Sequence, residues 1–83
     1  MKIDIFKKKI SKIHNLLIEI LERLNLTLNK DPTFQNIAEF LGTRDLISEP
    51  YAQKIKILEE KLPSLQEIND IELYLLSRFY HYI

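Results

Sequence analysis

Apolar residues recur at alternating intervals of three and four from the start of the chain: Ile3, Phe6, Ile10, Ile13, Leu17, Ile20 and Leu24. That rhythm is a heptad seam, so it predicts a long first helix over residues 4–26 with one packing edge. Asp4 is placed to cap its start, and Lys7, Lys8, Lys9 and Lys12 fall mainly off the seam. Leu16, Ile18 and Leu21 widen the apolar surface in the second half, which is therefore expected to be buried on more than one side, with the first half protruding or pairing with another chain.

The rhythm breaks over Asn25–Lys30, and Asp31-Pro32 offers an N-cap followed by a proline in the first turn, predicting a second helix over 32–41. Phe34, Ile37, Ala38 and Leu41 form its inner face, and Gly42, the one glycine in the chain, stands where a left-handed C-terminal cap is wanted. Ser48 can cap a third helix over 49–62, in which Pro50 lies in the first turn and Tyr51, Ile55, Leu58 and Leu62 recur at four, three and four. Pro63 ends it, and Ser64 with Glu67 forms a capping box for a fourth helix over 65–82. This last helix carries two apolar stripes, Ile68, Ile71, Leu75, Phe79, Tyr82 and Leu73, Leu76, Tyr80, Ile83. Glu67, Asp70 and Glu72 near its start and Arg78 and His81 near its end suit the helix dipole.

The expected fold is all-α, a small antiparallel four-helix bundle with long first and last helices, in a single domain over residues 1–83. Its 83 residues include 46% hydrophobic and 29% charged side chains, which supports a core and argues against disorder. With no cysteine, disulfides and thiolate metal sites are excluded. The start of the chain has the basic character of a signal peptide without its unbroken apolar run, so it reads as mature protein. No run approaches the length needed to cross a bilayer, and the cytoplasm is the expected compartment. Net charge is zero, yet residues 1–30 hold seven Lys/Arg and three Asp/Glu (+4) whereas residues 31–83 hold five and nine (−4). Such asymmetry favours docking of the basic first helix on later acidic ones over presentation of one pole to a charged partner.

Candidate chemistry is sparse. His14 and His81 are the only histidines, and their spacing supports no zinc site. Glu19 and Glu22 share a helix face, but Glu19 with Arg23 reads as a surface ion pair, and no Glu-x-x-His motif accompanies them. Arg78 and His81 are similar in type to the arginine and histidine of small helical ribonucleases, at a spacing shorter than that family's, and nothing is carried over from it. No catalytic residue, metal ligand or cofactor site is therefore expected.

The stretch Phe34-Gln35-Asn36-Ile37-Ala38-Glu39-Phe40-Leu41-Gly42 resembles the first helix and turn of a helix-turn-helix DNA-binding unit, with alanine and glycine four apart. The resemblance implies a DNA-binding regulator using residues 34–56, with Lys7, Lys8, Lys12 and Arg44 as nucleic-acid contacts. Beyond the glycine the chain departs from the pattern, with Pro50 where a recognition helix would have its middle. Overall neutrality also withholds the charge on which DNA affinity depends.

The last ten positions hold Tyr74, Phe79, Tyr80 and Tyr82, half of the eight aromatic residues. A segment this apolar either packs inward or meets another protein, and tyrosines favour interfaces where a ring is buried and a hydroxyl stays wet. The expected function is thus a small, non-catalytic helical interaction module, an adaptor, inhibitor or assembly subunit. It would bind a protein partner through Tyr74, Arg78, Phe79, Tyr80 and Tyr82, or form a homodimer through the first-helix seam or the last helix. Small immunity proteins of bacteriocin producers are similar in size and helical character, a likeness of fold alone.

Overall fold

The ends of the helices are set by backbone chemistry that the apolar rhythm does not reveal. A computed structural model describes residues 2–61 and 63–82, with side chains followed from residue 4. Among them lie α1 (Lys2–Arg23), α2 (Phe34–Thr43), α3 (Glu49–Lys56) and α4 (Leu65–Arg78), a 3-10 turn over Tyr80–Tyr82, and no strand. The expectations for Ile3, Leu62 and Ile83 as apolar contacts lie outside the described side chains.

α1 stops at Arg23, three residues earlier than the periodicity predicts, because Asn25 adopts φ 56°. The amide of Asn25 then bonds the Glu22 carbonyl at 3.1 Å, and that of Leu26 reaches back to Leu21 at 2.9 Å. These are the two bonds of a Schellman cap, which turns the chain out of the helix and satisfies two terminal carbonyls. α2 ends in the same way. Asp45, also at φ 56°, bonds Gly42, and Leu46 bonds Leu41, at 3.1 and 3.0 Å. The glycine expected to cap α2 therefore lies inside it with a negative φ, and the left-handed position falls to Asp45, whose short polar side chain tolerates that conformation.

Other boundaries shift for equally local reasons. Asp4 sits within the first turn of α1, where its charge suits the dipole, since the helix already begins at Lys2. α2 starts at Phe34 rather than at Pro32, because the Thr33 hydroxyl accepts the Asn36 amide at 3.1 Å and so takes the N-cap role expected of Asp31. Ser48 occupies the N-cap of α3 without a side-chain cap bond. α3 ends at Lys56, well before Pro63; Ile57–Glu60 continue as turns, with Leu58 still buried while Ile57, Glu59 and Glu60 face solvent. The forward half of the capping box is present at α4, where the Ser64 Oγ accepts the Glu67 amide at 3.2 Å. α4 closes at Arg78 because Phe79 folds into the core, and the residues beyond it turn in 3-10 geometry.

Packing follows from one stripe per helix. Ile13, Leu17 and Ile20 of α1, Ile37, Ala38 and Leu41 of α2, Ala52 and Ile55 of α3, and Ile68, Ile71 and Leu75 of α4 meet in one core, joined by Leu16, Leu21, Phe34, Ile47, Leu58 and Phe79. As the widening of its apolar surface predicts, the second half of α1 is the better buried, whereas Ile5 near its start is exposed. α2 and α3 pack against each other most extensively, with the small residues Ala38, Gly42 and Ala52 between them. α4 then doubles back along α3, with the Tyr74 ring stacked on Tyr51 at 3.8 Å. α1 leans mainly on α4. The radius of gyration, 12.1 Å, is close to the ~12 Å expected of a folded chain this long.

The two caps make an exchange testable. Gly42→Ala is expected to raise stability by about 0.5–1 kcal/mol, because its φ is ordinary and an added Cβ would meet only the Ala52 Cβ, at 3.4 Å. Asp45→Gly is expected to be neutral or stabilising, while Asp45→Val should cost about 1–2 kcal/mol by forcing a branched side chain into the left-handed region. Urea unfolding followed by circular dichroism measures all three.

Candidate functional site

Each side of α4 faces a different environment. With 100° per residue, Ile68, Ile71, Leu75 and Phe79 point inward, and the core holds all four. Leu65, Asn69, Leu73 and Leu76 share an adjoining flank, roughly 100° further round the helix, and Tyr80 follows in the 3-10 turn beyond it. There Leu73 is 62% exposed, Leu76 40% and Tyr80 72%, and Tyr82 just beyond is 51% exposed. Large apolar side chains standing together in water are the most unusual feature of this surface.

One edge of that flank is fixed to α1. Lys9 donates to the Asn69 Oδ1 at 3.0 Å, and Lys12 pairs with Glu72 at 3.3 Å, with Lys9 a further 3.9 Å from the same carboxylate. Glu72 is largely covered, so it holds two lysines of the basic helix against the acidic one. The charge asymmetry of the sequence is here spent partly on internal complementarity, as expected. On the other side, the Tyr74 hydroxyl accepts the Ser48 amide at 2.7 Å, and the Arg78 Nε donates to the Leu46 carbonyl at 3.1 Å. Both contacts hold the α2–α3 connector against α4.

The five residues expected to contact a partner are thus divided. Phe79, 3% exposed, is a core residue and not an anchor: the turn after Arg78 buries its ring beside Leu75 and closes the end of the core. Tyr74 is half-buried under Tyr51 and serves the connector, as does Arg78, although the latter remains exposed. Tyr80 and Tyr82 remain available. Leu73 and Leu76, which sequence reasoning set on a stripe without naming them as contacts, complete the exposed patch. The signal for them was the second stripe itself, since a helix covered on one side cannot bury two.

The cations considered for nucleic acid are also separated. Lys7 and Lys8 are exposed near the start of α1, and Lys12 is tied to Glu72. Arg44 lies 3.5 Å above the Phe40 ring and donates to the Phe40 carbonyl at 3.1 Å, so its planar face is already occupied by its own helix. Pro50 is the second residue of α3 and does not interrupt it, because that helix begins seven residues after Gly42.

His14 donates from Nε2 to the Pro32 carbonyl at 2.6 Å and meets the Phe34 ring edge-on at 5.3 Å. It pins the returning linker to α1, a structural use of its polar tip. His81 is exposed against Tyr80. Among the described residues no three His, Asp or Glu side chains converge as a metal site would require. A cleft between α3 and the start of α4 is lined by Lys54, Ile57, Leu58, Lys61, Pro63, Ser64, Glu67 and Ile71. Its one hydroxyl, that of Ser64, accepts the Glu67 amide. No described helix is long and apolar enough to cross a membrane.

Glu72 is the electrostatic link between α1 and α4. Glu72→Gln is expected to lower stability by about 0.5–1 kcal/mol, and Glu72→Lys by more, because it sets a third cation beside Lys9 and Lys12. The gap between the two variants should narrow in about 0.5 M salt, measured by thermal unfolding. No protein-family model, curated protein or solved structure matches the chain, so its own surface carries the functional reading.

Proposed function

We propose that this chain is a small, non-catalytic protein-interaction module, an adaptor, inhibitor or assembly subunit, whose four-helix bundle serves as a rigid base for the outer flank of α4. The observation that carries this reading is the exposure of Leu73 and Leu76 on that flank, with exposed Tyr80 in the turn that follows. Desolvating them is a gain the surface offers a partner, because apolar side chains removed from water contribute roughly 25 cal/mol per Å² of area buried. The inner face of the same helix is locked by Ile68, Ile71, Leu75 and Phe79, so the patch is presented without the ordering cost a mobile segment would carry. Tyr80 supplies a ring to bury and a hydroxyl to keep hydrated, the combination enriched at binding hot spots.

A photo-crosslinking phenylalanine analogue in place of Leu73 tests the reading in cells that make the protein. A discrete adduct is expected from position 73 and none from a control at exposed Glu59, and Tyr80→Ser should weaken the adduct while changing folding stability by less than about 0.5 kcal/mol. If position 73 yields no adduct, the flank is solvent-facing in use and the interaction reading falls. Unfolding of Tyr80→Ser would instead make that tyrosine a structural residue.

A further inference from the structure

We draw no further inference here: the strongest candidate, the surface patch of Leu73 and Leu76 on the outer flank of α4, belongs to the site already described, and nothing in the structure shows what covers it.

Discussion

Burial of a single stripe of α4 is the constraint on which the rest of the structure depends. Ile68, Ile71, Leu75 and Phe79 form the surface against which α1 and α3 both pack, and α2 is carried in through its close approach to α3. A chain of this size buries only about 60–65% of the surface its unfolded state exposes, so its helices have little apolar area to spare. A stripe on one helix that contacts elements from both halves of the sequence is an efficient use of that area. It also commits α4 to one orientation, and in doing so decides that Leu73, Leu76 and Tyr80 face away from the core.

Polar contacts around this stripe fix geometry more than they add stability. Glu72 gathers Lys9 and Lys12, Tyr74 receives the Ser48 amide, and Arg78 holds the Leu46 carbonyl. The first links α4 to α1, and the other two link it to the α2–α3 connector. Partly exposed pairs of this kind contribute a few tenths of a kcal/mol to about 1 kcal/mol, small beside the hydrophobic core but enough to set the rotation of α4. The side chains that sequence reasoning marked as binding groups are thereby divided between structural duty and an open flank, and the division creates a coherent surface of two leucines and two tyrosines.

The basic first helix illustrates the same economy. Its lysines could have served a nucleic acid or an anionic surface, yet Lys9 and Lys12 are engaged with α4, and Arg44 rests on Phe40. The helix-turn-helix resemblance of Phe34–Gly42 finds a structural counterpart in the small residues at the α2–α3 crossing, where Gly42 approaches Ala52. Close helix approach needs small side chains whatever the pair later binds, and so the spacing of alanine and glycine carries packing information first.

Sequence by itself determined that the described residues are helical, that they hold four helices in the order found, and which residues of α1 and α2 face inward. Those properties follow from periodicity, which reports a helix's apolar side directly, and the buried sets Ile13–Leu17–Ile20 and Phe34–Ile37–Leu41 are legible from it. Helix ends were less legible. Asn25 and Asp45 carry the left-handed caps although the one glycine stood nearby, and α3 stops before its proline, because end positions depend on a few backbone hydrogen bonds rather than on a repeating pattern. Only the tertiary structure decided between the two apolar stripes of α4. Either could have been buried on amphipathic grounds, and the choice was made by which one fits α1 and α3 while Phe79 closes the core and Glu72 reaches the lysines. That rotation about one helix axis turned Phe79 from a candidate anchor into core and left Leu73, Leu76 and Tyr80 on the surface, a distinction that depends on contacts distant in sequence and so lies beyond any local pattern.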